Sequence, residues 1–339
     1  MAACLIFYEA GFKKESEKVR QVRNTEEKHM DFRKSPVEIS VIMGVYNQYN
    51  QSELMQAVNS ILVQTFTDFE FIIYDDGSDG EPAEYIRKLT ELDDRIRVIR
   101  NEENRGLAFS LNQCIGEARG RYLARMDADD ISLPDRLKRE YDFLEKHPEY
   151  AWVGTNAKVF EQENIWGTLV MAEEPNQYNF LPFSPFIHPS VMFRRELFET
   201  GGGYEVAQET LRCEDYELFL RLYIQGLRGY NLQDVLFLYR QGISSYKKRT
   251  CRSRWNEAKI RARYFPKLQL PKPKQYLYAM RPVVTGLIPY QMIAFYKKQR
   301  MRRLNGEERG RTGIYESLGA YTGFLYQLGA KGSPRIEHT

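Results

Sequence analysis

Three carboxylates fall within four positions at Asp127-Ala128-Asp129-Asp130, directly after the mostly apolar run Tyr122-Leu123-Ala124-Arg125-Met126. Such a cluster is too acidic for a dry core, where each unpaired charge carries a large desolvation cost. Its oxygens suit a hard divalent cation, Mg²⁺ or Mn²⁺, of the kind shared with a substrate phosphate. The same stretch also fits a strand end followed by a helix cap, with Asp130 or Ser132 capping a helix that begins near Pro134. A second acidic pair, Asp75-Asp76, opens an Asp-Gly-Ser stretch that an ordinary turn would also explain. A third, Glu214-Asp215, opens an apolar helix through Leu218, Phe219 and Leu222. The helix dipole there favours an ionised carboxylate, which is the form a general base needs. His188, beside Pro189, suits either a structural role or a substrate contact.

These groups need elements to carry them. Residues 38–47 read as a strand that ends in the polar turn Tyr46-Asn47, and helical spacing follows at Leu54, Ala57, Val58, Ile61 and Leu62. Residues 69–74 form a second apolar strand that stops at Asp75. A helix over 85–92, a strand over 96–100 and a helix over 107–118 lead into the acidic cluster. Strands alternating with helices predict an α/β fold with a Rossmann-like, mostly parallel central sheet flanked by helices. In such sheets ligands sit beyond the carboxyl ends of the strands. Tyr46, Asp75-Asp76 and the 127–130 cluster all fall at those ends. After about residue 148 the alternation weakens: strands are expected over 152–160, 166–171 and 191–194, and Gly201-Gly202-Gly203 reads as a hinge or lid.

Composition narrows the class. The chain has 339 residues, 42% hydrophobic and 28% charged, with a net charge of +3, which describes a soluble globular protein and gives no basis for nucleic-acid binding. Cys4, Cys114, Cys213 and Cys251 lie far apart, which argues against a disulfide framework or zinc site and fits a reducing compartment. The apolar run over residues 2–8 is cut off by Glu9, so no signal peptide is expected. Neither Gly-x-Gly-x-x-Gly after the first strand, nor a P-loop, nor Gly-x-Ser-x-Gly occurs, which excludes the usual dehydrogenase, nucleotidase and hydrolase signatures.

Four stretches in order resemble family-2 glycosyltransferases: Val41-Ile42-Met43-Gly44-Val45-Tyr46-Asn47, Asp75-Asp76-Gly77-Ser78, Met126-Asp127-Ala128-Asp129-Asp130 and Glu214-Asp215-Tyr216-Glu217-Leu218. The resemblance covers roughly residues 38–245, and intervening phrases such as Leu133-Pro134-Asp135-Arg136-Leu137 are similar to bacterial surface-polysaccharide members. It implies the GT-A fold, a nucleotide-sugar donor, and inversion at the anomeric carbon. By the same resemblance Tyr46 lies against the nucleobase, Asp76 accepts from a uracil-type ring nitrogen, Asp127 faces the ribose, and Asp129 holds the metal bridging the diphosphate. Asp215 is then the base for the acceptor hydroxyl, Arg105 assists the diphosphate, and His188 and Glu214 touch the acceptor or sugar. Asp130 is left to serve the next helix. Relatives often carry Tyr-Arg-x-His after the last core strand, whereas this chain reads Tyr239-Arg240-Gln241-Gly242-Ile243-Ser244. Arg240, Lys247, Lys248 and Arg249 are candidates to neutralise phosphate instead.

The expected organisation is a leader over 1–37, a catalytic domain over 38–250 and a helical extension over 251–339. Residues 38–148 would bind the nucleotide and 149–250 the acceptor. In the extension, an apolar run over 283–296 precedes Lys297, Lys298, Arg300, Arg302 and Arg303, a pattern suited to peripheral contact with an anionic membrane. Ile314, Leu318, Tyr321, Leu325 and Leu328 form a stripe suited to self-association as a homo-oligomer. The activity this points to is a metal-dependent hexosyl- or N-acetylhexosaminyl-transferase using a UDP-linked donor and a saccharide or lipid-linked acceptor. Its expected place is the cytoplasm, on the inner face of the cell membrane. A sugar nucleotidyltransferase and a non-catalytic nucleotide-sugar-binding scaffold are the alternatives; the first expects a Gly- and Arg-rich loop where Gly44-Val45-Tyr46-Asn47 stands.

Overall fold

In the computed structural model, described residues are 37–162, 164–242, 250–289, 291–293, 295, 296 and 299. Residues 1–36 of the expected leader, Lys247 to Arg249, the cationic residues at 297–303 named above and the 314–328 stripe lie outside them.

The first half follows from side-chain alternation. Strand β1 (Ile39–Val45) lies between β2 (Phe69–Asp75) and β4 (Tyr122–Arg125), and β2 pairs with β3 (Ile96–Arg100); all three pairings are parallel. Successive residues of β1 and β2 enter opposite cores. Ile42 and Ile72 join Leu111 and Cys114 of α3 (Leu107–Glu117) on one face. Val41, Met43, Phe71 and Ile73 join Leu54, Val58 and Ile61 of α1 (Gln51–Leu62) on the other. Both faces are dry, so the strands read as continuous apolar runs. Full burial of each such side chain contributes roughly 1.5–3 kcal/mol.

Helix α2 (Gly80–Lys88) starts five residues before the apolar spacing suggested, because Glu81 in its first turn and Pro82 near its start favour initiation there. A short 3₁₀ turn, Leu89–Glu91, finishes the expected segment.

Beyond β4 the sheet becomes mixed. Its order is β3-β2-β1-β4-β8-β6-β9-β5, with β7 on β6. Here β5 is Ile131–Ser132, β6 Trp152–Glu161, β7 Asn164–Leu169, β8 Met192–Arg194 and β9 Gly229–Arg240. Strand β8 is antiparallel to both β4 and β6, which carries the sheet from the first half into the second. Helix α4 (Arg136–Lys146) covers the α1 face through Leu137 and Leu144, and the short α5 (Glu196–Gly201) follows β8. Helix α6 (Glu214–Ile224) lies on the α3 face through Leu218, Phe219 and Leu222. Buried Glu217 of α6 accepts from the Tyr264 hydroxyl at 2.6 Å, fastening α7 (Cys251–Tyr264), on which α8 (Lys272–Gly286) packs.

Candidate functional site

The end of β2 is built by its own carboxylates. Asp75 is buried; its Oδ1 accepts from the Ser78 N–H at 2.9 Å and its Oδ2 from Arg100 Nη1 at 2.7 Å. Asp75 therefore closes the turn. Asp76, also buried, accepts from the N–H groups of Arg105 and Gly106 at 3.0 and 2.7 Å, one on each oxygen. It clamps the loop that enters α3, and each oxygen keeps a second lone pair. Gly77, at φ +76°, lets that loop approach. The Asn47 N–H and side chain tie the end of β1 to Ser78 and Asp79, while the Tyr46 ring next to them is 49% exposed. The Arg105 guanidinium lies 4.0 Å over the ring of Phe109, in the first turn of the helix that follows it.

At the end of β4 the three carboxylates converge. Asp127, Asp129 and Asp130 each offer an oxygen within 4.8 Å of the others. Two of the side chains are half-buried and Asp130 is fully buried. Burial, then Asp129 and Asp127, push the Asp130 carboxyl well above the usual carboxylate range. The expectation that Asp130 serves the next helix is wrong: the N-cap of α4 is Asp135, which makes no side-chain cap bond, and Ser132 sits in β5. Asp130 Oδ1 instead accepts the Arg240 N–H of β9 at 2.7 Å, and its Oδ2 is buried with no partner. The reason is the sheet, since β5 follows Asp130 immediately and pairs with the end of β9.

Arg240 holds this corner from behind. Its Nε donates to the Asp129 carbonyl at 2.6 Å and its Nη2 to Gln56 at 2.8 Å, with the guanidinium 4.4 Å over Phe160. These contacts place it in the wall of the site and not on a closing loop. A second arginine, Arg125, is buried at the end of β4, with Nη2 on Asp127 Oδ1 at 2.5 Å. Three hard oxygen donors, one of them an orphaned buried oxygen, fit a divalent cation.

The second half supplies the facing groups. Asp215 and Glu214 stand in the first turn of α6, after Arg212, which adopts a left-handed φ of +70°. Burial pushes the Glu214 carboxyl up. His188 is buried in a 3₁₀ turn before β8, and its Nε2 lies 2.6 Å from the Tyr204 hydroxyl. Burial, aided by Arg125, pulls the imidazole well below its usual range, so it is neutral. Burial raises the Tyr204 phenol, and the fields of Arg125, Asp215, Asp127 and Glu214 all reach it. Tyr204 thus marks where the two halves meet. The glycines before it are fastened, not free: Arg221 donates to the carbonyls of Gly201 and Gly203 at 2.5 and 2.6 Å, and Asn112 of α3 grips the Tyr204 backbone on both sides.

Three residues escaped the sequence reading. They are Tyr204, Arg125 and Tyr239, whose phenol is raised by burial and then by Asp130, Asp127 and Asp129. Only Arg125 carried a signal, as a charge inside an apolar strand.

A family model described as Glycosyl transferase family 2 matches residues 40–202. The Bacillus subtilis (strain 168) glycosyltransferase named EpsE is 35% identical over 264 residues, covering 78% of this chain and 94% of its own. The chain belongs to glycosyl transferase family 2. A further relative, the Escherichia coli O-antigen biosynthesis glycosyltransferase WbnJ, is 33% identical over 62% of this chain and 82% of its own. Among solved structures, S. aureus TarS 1-349 in complex with UDP-GlcNAc is similar with a TM-score of 0.55, at 17% identity, over 86% of this chain and 81% of that one. The chain matches 43% of the longer TarS structure. Mannosyltransferase PcManGT from Pyrobaculum calidifontis, in complex with GDP-Man and Mn2+, gives a TM-score of 0.51 at 17% identity, over 95% of each chain. This family-2 glycosyltransferase has the GT-A fold, and the acidic corner lies within the matched segment.

Proposed function

We propose that the chain is a metal-assisted, inverting glycosyltransferase that moves a sugar from a UDP-linked donor to a saccharide or lipid-linked acceptor during assembly of a surface polysaccharide. The observation that carries this is the convergence of Asp127, Asp129 and Asp130 at the end of β4, with Asp215 at the start of α6 and both Asp127 and Asp215 near enough for their charges to reach Tyr204. A divalent cation held there by Asp129, beside Asp130, supplies Lewis-acid stabilisation of the departing diphosphate. Asp127 faces the ribose, and exposed Tyr46 offers a ring to the base. Asp76 accepts the base's ring N–H on the lone pairs left over from the loop clamp. Asp215, in the first turn of α6, takes the acceptor proton. His188, buried behind Tyr204, acts as a support and not as an acceptor contact.

The bound UDP-GlcNAc of TarS and GDP-Man of PcManGT support a nucleotide-sugar donor. Relatives named for O-antigen and amylovoran biosynthesis support the polymer reading. For a cytoplasmic enzyme at the inner membrane face, the supporting feature is the outer side of α8 and the residues after it. Tyr276, Leu277, Met280, Val284, Leu287 and Ile288 are exposed there, while Ala279 and Pro282 face inward. Among the described residues no helix is long and apolar enough to cross a membrane, so this contact is a surface one. Flotation with anionic vesicles checks it; protein that stays at the bottom of the gradient rejects it.

The main test is calorimetry with UDP, with and without Mn²⁺, followed by turnover on a panel of nucleotide sugars. Asp215→Asn should remove transfer and leave UDP binding nearly intact. Transfer that survives in Asp215→Asn excludes Asp215 as the base, and an absence of metal-dependent nucleotide binding sinks the donor reading.

A further inference from the structure

Arg125 is one of the largest fully buried side chains among the described residues. A guanidinium taken out of water is costly unless its donors are met. Nη2 meets Asp127, but Nε and Nη1 are buried with no hydrogen-bond partner. Buried donors left over in a native site call for a specific reason.

The surroundings supply one. The Arg125 N–H donates to the Val191 carbonyl at 2.9 Å, and the Val191 N–H donates to the His188 carbonyl at 3.3 Å. The end of β4 is therefore laced to the turn that carries His188. The His188 Nε2 and the Tyr204 hydroxyl oxygen share a hydrogen bond of 2.6 Å, in either tautomer of the ring. In either arrangement the phenol oxygen keeps a lone pair, and Arg125 is near enough for its charge to act on that phenol. Asn112 fixes Tyr204 from α3, so neither partner is a loosely held surface group. On its other side Arg125 holds a carboxylate that two neighbouring carboxylates repel.

We propose that Arg125, backed by the Tyr204–His188 pair, is a positioning residue that fixes Asp127 for the nucleotide of the donor. This rests on the donor site described above and concerns how that site is held. Asp127 would otherwise turn away from Asp129 and Asp130, because like charges in a partly dry corner push apart. Arg125 keeps it in place without touching the donor. The same reasoning gives a readout with two signs. Removing the positive charge misorients Asp127 and weakens nucleotide binding, while Asp129 and Asp130, which hold the cation on the proposed reading, keep their places, so Mn²⁺ alone is bound no more weakly.

The test uses the full chain and the variants Arg125→Met, Arg125→Lys and Tyr204→Phe. Wild-type binding of Mn²⁺ alone and of UDP with Mn²⁺ is titrated first. Groups that orient a ligating side chain typically change affinity by about 10–100-fold. Arg125→Met should therefore raise the donor KM about tenfold or more, with kcat changed by less and Mn²⁺ alone bound no more weakly; Arg125→Lys, which keeps the charge but loses the planar fork, should raise the donor KM in the same sense. Tyr204→Phe, which deletes one oxygen, should raise the donor KM in the same sense and be non-additive with Arg125→Lys. A merely structural role lowers Tm and the active fraction, hence kcat, and leaves KM alone. That pattern, or a folded variant with wild-type UDP affinity, overturns the proposal. Should the Arg125 variants fail to fold, Tyr204→Phe decides by itself, and an unchanged donor KM refutes the role. An active wild type with unaffected variants condemns only the positioning; an inert wild type overturns both readings.

Discussion

Replacing Gly77 with alanine tests how the loop over β2 is held. At φ +76°, a Cβ on residue 77 would lie 2.7 Å from the Glu103 carbonyl carbon, 2.8 Å from its Cα and 3.0 Å from the Asn104 nitrogen. All three atoms are backbone, so no side-chain rotation relieves the contact. The left-handed conformation costs an L-residue roughly 1–2 kcal/mol. Forcing the two segments apart resembles overpacking, typically about 1–3 kcal/mol. The sum, about 2–5 kcal/mol, corresponds to a fall in Tm of roughly 5–15 °C for a domain of this size. Function falls as well, because the displaced segment leads straight to the Arg105 and Gly106 N–H groups that hold Asp76. Gly80→Ala is the control: its φ is +55°, but nothing lies within 4 Å of the added Cβ, so only the conformational cost applies. Thermal melts of the wild type and both variants, with UDP titration in Mn²⁺, measure the difference. Equal losses in Gly77→Ala and Gly80→Ala, with UDP affinity unchanged in both, would refute the close approach as the reason for glycine at 77.

Glu140 and Arg136 form a fully buried pair on α4 at 3.2 Å, and burial pushes the Glu140 carboxyl up to about 8. A folded value above the unfolded one means that Glu140 stabilises the fold most below about pH 4.5 and loses that contribution as pH rises through about 8. Glu140→Gln imitates the protonated form, so its Tm should gain on the wild type between pH 5 and pH 9; a constant or shrinking difference excludes the shift. Tyr46→Ala removes an exposed ring at a strand end, so Tm should hardly move while UDP affinity drops by the roughly 1–3 kcal/mol of one stacking contact. An unchanged UDP affinity removes Tyr46 from the base site.

The parallel half was legible because its signals are local. Apolar runs at residues 39–45 and 69–75 alternate between two cores, and the polar residues that stop them stand at the strand ends where ligands bind. Asp130 was misread for the same reason. An aspartate shortly before a helix is a local capping signal, whereas its actual partner, the Arg240 N–H, is 110 residues away. A two-residue strand, Ile131–Ser132, has too short a pattern to announce itself, yet it aims Asp130 into the site. Tyr204 had no periodicity to mark it, and the three glycines before it suggested freedom where Arg221 and Asn112 impose order. Arg125 was the readable exception, since a charge in a strand buried on both faces must answer to something.

The carboxylates at the strand ends divide by what satisfies them. Asp75 and Asp76 have all four oxygens engaged by this chain's own donors, so the fold alone accounts for their being aspartates. Asp130 is different. An asparagine there would accept the Arg240 N–H through its amide oxygen and offer its NH₂ to Asp127 or Asp129, removing a repulsion and an orphaned oxygen together. For the fold by itself asparagine is the better residue. A carboxylate gains a further advantage when a positive charge sits among the three oxygens, where each added negative ligand strengthens binding of a hard cation. Arg125 cannot be that charge, because it bonds Asp127 and leaves Asp130 Oδ2 without a partner. On the proposed reading, the residue that local pattern assigned to a helix cap is therefore the one a cation suits best.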